Sequence, residues 1–286
     1  MLTDKELRNL ELTKRWERNW NNDVDRMIDE SYAEDCVVVN MFTGHEALGR
    51  EGLRKVEHAI KAFDGERRME ITNMVASGDV VAVQADAIFG GFRGKAVAFL
   101  TFNDEGLIVS DNSYGEDPSG ASVPTSPNFV EEVRAQATTS RAHPPSTKGA
   151  EPLTNQERDN IGRVKRWEST WNDAVDRMVD ECYAPDCVVV NMLTGHTMHG
   201  REELRAIEHA MQAFDGTRKM EITRMVASGD KVAIQMDALW NVARSKACVF
   251  LTFNDDGLIV EDNSYGQDPS GASTPGSKSF LEFASS

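Results

Sequence analysis

The sequence predicts an α+β fold that is built twice in tandem along a chain of 286 residues. The first observation is an internal repeat, in which residues 16–51 align with residues 167–202 without a gap. The same register continues from 67–87 to 218–238. The second observation is the order of hydrophobic patterns in each copy, which runs from two helices and a strand to a third helix and then four strands. Strands that follow one another in this way, with helices grouped on one side, are typical of the α+β class.

The predicted helices of the first copy depend on apolar residues at helical spacing. Leu12, Trp16 and Trp20 share one face of a helix over 4–21, and a short helix follows from there to about residue 31. A third helix is predicted over 49–65, where the last residue is a glycine of the kind that commonly ends helices.

The predicted strands are rich in β-branched and other apolar residues. The first covers 36–41, and the remaining four cover 68–77, 80–89, 95–103 and 107–114. Short polar turns join the last four, so we expect them to pair in antiparallel order. A curved antiparallel sheet with helices on one side would enclose a hollow suited to a small molecule.

The repeat also predicts the domain organisation. Residues 1–123 form the first copy and residues 154–286 the second. Between them, 124–153 is rich in Pro, Ser and Thr, which is typical of a linker, with one short helix expected at 128–137.

Charge and composition narrow the range of partners. The chain has 31 Lys+Arg against 47 Asp+Glu and a formal net charge of −16, which repels nucleic-acid phosphates and anionic lipid. We therefore expect neither nucleic acid nor membrane as a partner, and a hydrophobic small molecule instead. No long apolar run or leader segment is visible, which predicts a cytoplasmic protein.

The cysteines and short motifs give no sign of a metal or nucleotide. The chain has 4 Cys, none at metal-ligand spacing, so we expect free buried thiols. The sequence contains no phosphate-binding loop and no paired-histidine zinc motif, and we expect neither a cofactor nor a metal.

Two polar residues interrupt the apolar strand at 80–89. Gln84 and Asp86 are two residues apart, so both point to one face of a strand that is expected to be buried. Burial raises the pKa of a carboxyl group, and Asp86 is therefore a candidate general acid or base. The alternative is that Asp86 only accepts structural hydrogen bonds. The second copy repeats the pair as Gln235 and Asp237.

Further candidates lie on the first and last strands. Asn40 ends its strand, where it could bind a water or a substrate oxygen or simply terminate the strand. Asp111 and Ser113 share a face of the last strand that we expect to point inward, and Asp111 near Asp86 would give two carboxylates that divide acid and base roles. A polar contact between domains is the alternative for Asp111. The second copy repeats these residues as Asn191, Asp262 and Ser264.

Aromatic and histidine residues complete the candidate set. Trp20 and Tyr32 are expected to line the pocket or fill the core, and they are candidate substrate-binding residues. Their counterparts in the second copy are Trp171 and Tyr183. His45 lies in a turn at the expected rim, either as a turn residue or with a role in proton transfer.

Several segments resemble a known family. YAEDCVVVNM, GREGL, VVAVQADAI and GLIVSDNSY are similar to segments of limonene epoxide hydrolase and of SnoaL-like polyketide cyclases, which share the cystatin-like cone of nuclear transport factor 2. The resemblance implies two cone-shaped barrels, each with a deep apolar pocket and no cofactor. It also implies dimers formed through the sheets, so the two copies are expected to form an intrachain pseudo-dimer, and further self-association is possible.

The resemblance also suggests residue roles. Asn40 matches an Asn of the epoxide hydrolase, and Asp86 matches its proton-donating Asp. Gln84 stands in place of an Arg, and Ser113 in place of the water-activating Asp. These departures disfavour water-activated epoxide opening unless Asp111 acts as the base.

The sequence therefore predicts a cofactor-independent acid/base enzyme with Asp86 and Asp237 as general acid or base. The expected reaction is of the cyclase, isomerase or epoxide-opening type, on a polyketide, terpenoid or steroid-like compound. The alternative is a binding or carrier protein for a hydrophobic ligand on the same fold.

Overall fold

The structure is a computed structural model that describes residues 2–63, 67–89, 92–115, 153–214, 218–240 and 243–266. The chain divides into two compact units, Leu2–Glu151 and Pro152–Ser286, which we call domain 1 and domain 2. Each unit contains one copy of the repeat. Apart from residue 153, the predicted linker lies outside the described residues, and so does the short helix expected at 128–137.

The described part of domain 1 has three helices and six strands. The helices are α1 (Asp4–Asn22), α2 (Val24–Ser31) and α3 (Gly49–Phe63). The strands are β1 (Tyr32–Asn40), β2 (His45–Leu48), β3 (Arg67–Ser77), β4 (Val80–Phe89), β5 (Phe92–Phe102) and β6 (Ile108–Tyr114).

Domain 2 repeats this order within its described residues. Its helices are α4 (Asn155–Asp173), α5 (Val175–Cys182) and α6 (Gly200–Phe214). Its strands are β7 (Tyr183–Asn191), β8 (His196–His199), β9 (Lys219–Ser228), β10 (Lys231–Trp240), β11 (Ala243–Phe253) and β12 (Ile259–Tyr265).

Each domain has one six-stranded mixed sheet. The strand order is β2-β1-β6-β5-β4-β3 in domain 1 and β8-β7-β12-β11-β10-β9 in domain 2. The predicted antiparallel pairing of β3 to β6 is confirmed. The expectation of a wholly antiparallel sheet is wrong, because β1 pairs with β6 in parallel, from Val37 opposite Ser110 to Asn40 opposite Ser113. A parallel pair needs a long crossover, and here α3 and strands β2 to β5 provide it.

The first helix of each domain begins with the same cap. The Thr3 hydroxyl accepts a hydrogen bond from the Glu6 amide, and the Glu6 carboxylate accepts one from the Thr3 amide. Thr154 and Glu157 make the same reciprocal pair. This capping box satisfies two amide groups that would otherwise lack partners, which fixes where the helix begins and hence where its tryptophans meet the sheet.

The helices and one face of the sheet share a hydrophobic core in each domain. In domain 1, Trp16 and Trp20 from α1 pack with Val83 and Ala85 from β4. The four cysteines are free and buried, as predicted. In the part of the chain that the structure describes, no helix is long and apolar enough to cross a membrane.

Candidate functional site

A cavity of about 160 Å³ lies between the helices and the sheet of domain 1. Most of its lining is apolar and comes from Trp16, Trp20, Leu53, Val56, Ile60, Met69, Val83, Ala85, Ala87, Ala96 and Ala98. Polar side chains enter it from Tyr32, Asn40, His45, Glu57, Lys95, Asp111 and Ser113. An apolar hollow with a few polar groups is the usual form of a small-molecule site.

The buried carboxylate of this cavity is Asp111, which is 2% exposed. Its Oδ2 accepts a hydrogen bond of 2.7 Å from the Tyr32 hydroxyl, and its Oδ1 accepts one of 2.6 Å from the Ser113 hydroxyl. The inward direction of Asp111 and Ser113 agrees with the alternation expected along the last strand. Both carboxylate oxygens thus have one fixed donor each, and each keeps a lone pair for a ligand.

Burial sets the acidity of Asp111. Desolvation raises its pKa to about 6, while the hydrogen bonds from Ser113 and Tyr32 oppose that rise and the nearby charge of Glu57 adds to it. A carboxyl group with a pKa near 6 is ionised in most molecules at neutral pH, yet it holds a proton far better than a free aspartate. It can therefore take up and release protons in this pH range.

Trp16 continues the chain of hydrogen bonds beyond Tyr32. The indole Nε1 donates a bond of 3.0 Å to the Tyr32 hydroxyl, so the hydroxyl hydrogen is left to point at Asp111. Burial and the Asp111 charge raise the pKa of Tyr32 well above its usual value, which keeps it a neutral donor. Trp16 was expected only to fill the core or line the pocket, and its N–H group has this additional role.

Domain 2 contains the same network. Trp167 donates to Tyr183 at 2.9 Å, Tyr183 donates to Asp262 at 2.6 Å, and Ser264 donates to Asp262 at 2.6 Å. Desolvation again raises the pKa of the carboxyl group, here Asp262, to about 6.

A second charged pair, not singled out from the sequence, also borders the cavity. Glu57 accepts a bond of 2.5 Å from Arg67, and their side chains are only 13% and 9% exposed. The Arg67 guanidinium lies 3.5 Å from the centre of the Trp20 ring, a cation–π contact. Domain 2 repeats the pair as Glu208 and Arg218, at 2.8 Å, with Arg218 over Trp171.

The sequence did contain a signal for this pair. Glu57 is four residues after Leu53 and three before Ile60, so helical spacing places it on the apolar face of α3. Arg67 is two residues before Met69, so strand alternation gives both the same face.

The structure corrects the predicted burial of Asp86. Its side chain is 50% exposed and forms an ion pair of 2.5 Å with Lys95. Gln84 is buried, and its side-chain oxygen accepts a bond from Asn73. Both residues lie on the opposite face of β4 from Val83 and Ala85, which line the cavity. The strand is apolar on both faces, so alternation alone could not tell which face meets the cavity.

The second copy places its residues in the same way. Asp237 is 16% exposed and pairs with Lys246 at 2.5 Å. Gln235 is buried, and its register partner in β11 is Cys248. The expected proximity of Asp86 to Asp111, as two carboxylates dividing acid and base roles, is therefore not found in the cavity, because they lie on different faces of the sheet.

Asn40 lines the cavity and also holds a turn. Its side-chain oxygen accepts hydrogen bonds from the amides of Phe42 and Thr43, at 3.1 and 3.2 Å. Asn191 makes the equivalent bonds to Leu193 and Thr194. The oxygen is thus used by the fold. The position of His45 differs from the expected turn, because it begins β2 opposite Asn40.

Together these residues form an apolar cavity with one proton-exchanging carboxylate. Among the described residues, no group of three or more His, Cys, Asp or Glu side chains is placed to hold a metal ion. The arrangement is suited to moving a proton on a hydrophobic molecule that carries a polar group.

Comparison with known proteins gives one family. The SnoaL-like domain family matches the chain twice, over 13–110 and 164–262, which is more than half of its length. A comparison with curated proteins gives no match.

Solved structures with a similar fold include three that bear on the description. One is a putative SnoaL-like polyketide cyclase from Jannaschia sp. CCS1, with 15% identity, a TM-score of 0.37, and coverage of 41% of this chain and 90% of that chain. A putative ketosteroid isomerase from Kribbella flavida has 19% identity, a TM-score of 0.36, and coverage of 39% and 80%. An NTF-2 like protein of unknown function from Burkholderia xenovorans has 16% identity, a TM-score of 0.36, and coverage of 46% and 95%.

Proposed function

Since this chain belongs to the SnoaL-like domain family, present in two tandem domains, we propose that it is a cofactor-independent acid/base enzyme of the isomerase or cyclase type. The substrate class is a hydrophobic small molecule with a carbonyl group, such as a polyketide, terpenoid or steroid-like compound. The observation that carries the proposal is Asp111, a buried carboxylate with a pKa of about 6 on the wall of an apolar cavity.

Asp111 acts as the base in this proposal. Its carboxylate removes a proton from a carbon next to the substrate carbonyl, which leaves an enolate and the Asp111 carboxylic acid. The acid then returns the proton to the same or another carbon, or lets the enolate carbon attack an electrophile within the substrate. No electron acceptor is needed, because the proton and the electron pair stay within the substrate and Asp111.

The neighbours of Asp111 support this role. Tyr32 and Ser113 hold the carboxylate in one orientation, so less reorganisation is required when the proton moves. Asn40 and His45 carry N–H groups on the cavity wall and are our candidates for binding the substrate oxygen. Asp86 and Asp237 were predicted to be the acid or base, but their ion pairs with lysines support Asp111 and Asp262 instead.

Proton exchange tests the proposal without the natural substrate. The probe is 2-tetralone, a fused-ring ketone with acidic hydrogens next to its carbonyl. In deuterated buffer, NMR should show faster loss of these hydrogens with the protein than with buffer alone. Asp111→Asn should lower this rate at least 100-fold, in the range typical of general-base catalysis, with 2-tetralone binding retained.

The matched control is Asp262→Asn, which makes the same chemical change in domain 2. If wild-type protein binds 2-tetralone and exchange proceeds no faster than in buffer, the enzyme proposal is wrong and the carrier alternative is favoured. If Asp111→Asn binds the ketone and exchanges it at the wild-type rate, Asp111 is not the base.

A further inference from the structure

The two domains keep the same polar residues but differ in the apolar wall around them. Asp111, Tyr32, Ser113 and Glu57 of domain 1 have identical counterparts in Asp262, Tyr183, Ser264 and Glu208 of domain 2. In contrast, two alanines that line the cavity, Ala47 and Ala85, are replaced by Met198 and Met236.

The register of the strands shows that these positions are structurally equivalent. Ala47 is opposite Val38, and Met198 is opposite Val189. Ala85 is opposite Ala96 of β5, and Met236 is opposite Ala247 of β11. Each methionine therefore starts from the wall position that its alanine has in domain 1.

Both methionines pack inward. Met198 is 5% exposed and belongs to the hydrophobic core of domain 2, and Met236 packs against the same core. Three smaller changes add bulk in the same direction, from Val56 to Ile207, from Val83 to Ile234 and from Ala98 to Val249. The change from Val97 to a smaller cysteine lies beside Gln84, on the other face of the sheet.

The added atoms are comparable with the cavity itself. Each methionine has three more heavy atoms than alanine. A packed heavy atom takes roughly 20 to 30 Å³, close to the share of one water molecule, so the two methionines add on the order of 150 Å³. The cavity of domain 1 measures about 160 Å³.

We infer that the two domains take ligands of different size, and that Ala47 and Ala85 determine the specificity of domain 1. Domain 1 admits a fused-ring molecule beside Asp111. In domain 2, Met198 and Met236 occupy that space, so Asp262 serves at most a much smaller ligand. This inference rests on the proposed function for the role of Asp111, but its test measures binding alone.

The first experiment uses unmodified full-length protein with 13C-labelled methionine methyl groups. Met69 lines the cavity of domain 1, and Met220 is its counterpart in domain 2. Titration with 2-tetralone should shift the Met69 signal and leave those of Met220, Met198 and Met236 in place. Saturable shifts in both domains with similar affinity would overturn the inference, and so would the absence of a shift at Met69.

The second experiment exchanges the wall residues and counts bound 2-tetralone by calorimetry. Wild-type protein should bind one molecule per chain, Ala47→Met with Ala85→Met none, and Met198→Ala with Met236→Ala two. Unchanged numbers in both double variants would contradict the inference. Circular dichroism checks the folding of each, and if the enlarged domain 2 does not fold, the filled domain 1 variant decides by itself.

The outcomes separate this inference from the proposed function. Binding at Met69 alone, without proton exchange, would leave the difference between the domains intact and remove the enzyme proposal. Exchange that depends on Asp111, with binding in both domains, would do the reverse.

Discussion

The Tyr32 hydroxyl donates a hydrogen bond of 2.7 Å to Oδ2 of Asp111, across 79 residues of sequence. Tyr32 begins β1 and Asp111 lies in β6, and the parallel pairing of these strands brings the two residues to the same wall of the cavity. A hydrogen bond to the charged form of a carboxyl group lowers its pKa, so Tyr32 offsets part of the effect of burial on Asp111.

Replacing Tyr32 by phenylalanine should therefore raise the pKa of Asp111 above its value of about 6. If Asp111 is the base, the rate of 2-tetralone exchange rises with pH as the carboxylate forms, with a midpoint near 6 in the wild type. Tyr32→Phe should move this midpoint to higher pH. The measurement is the exchange rate at a series of pH values.

Tyr183→Phe is the matched control, because it makes the same change beside Asp262. It should leave the midpoint of domain 1 unmoved. A midpoint that stays in place or falls in Tyr32→Phe would contradict the assigned role of this hydrogen bond.

Replacing Glu57 by glutamine should have the opposite effect. The negative charge of Glu57 raises the pKa of Asp111, since it disfavours a second negative charge nearby. Glu57→Gln should thus lower the midpoint of the pH profile, while Glu208→Gln in domain 2 should not. A rise would show that the loss of the Arg67 ion pair rearranges the cavity instead.

The charge of Asp111 should also make stability depend on pH. The pKa of Asp111 is about 6 in the folded protein against 3.8 for the free group, so the folded state binds the proton more tightly. The resulting stabilisation is complete below about pH 4 and is lost as pH rises through 6. At about 1.4 kcal/mol per pKa unit, the loss by pH 7 is on the order of 3 kcal/mol.

Asp111→Asn removes this dependence, because asparagine stays neutral. Urea unfolding of wild type and variant at pH 5 and pH 7.5 should show the variant gaining stability relative to wild type at the higher pH. Asp262→Asn should behave likewise in domain 2, where burial also raises the pKa to about 6. An equal difference between variant and wild type at both pH values would contradict this prediction.

Much of the fold follows from the sequence. Repetition, helical spacing and short turns were enough to predict two domains with helices on one side of an antiparallel series of strands, and the structure confirms these features. The parallel pairing of β1 with β6 could not be predicted from the residues, because β1 is joined to the other strands by a long helix rather than by a turn.

The site was only partly predictable, for physical reasons. On the last strand, one face carries a variable position, Ser110 in one copy and Glu261 in the other, so the opposite face with Asp111 could be placed inward. On β4 both faces are apolar, so Asp86 could not be assigned to a face. Glu57 could have been found from its spacing to Leu53, but a charged residue on a surface helix is usually solvated.

The placement of Asp86 leads to a last prediction. A surface ion pair contributes about 0.2–1 kcal/mol, and the Asp86 side chain is half exposed beside Lys95. Asp86→Asn should therefore change the free energy of unfolding by less than about 1 kcal/mol. Because Asp86 lies on the other face of β4 from the cavity-lining Val83 and Ala85, the variant should keep the wild-type rate and pH midpoint of 2-tetralone exchange.

Asp237→Asn is the informative companion, because the same ion pair is more buried there, with Asp237 16% exposed. Loss of a charge partner costs more where water cannot replace it, so this variant should be destabilised more than Asp86→Asn in urea unfolding. Should Asp86→Asn abolish proton exchange as Asp111→Asn does, with folding intact, the base would be Asp86 after all. The cavity would then have to be reached from the other face of the sheet.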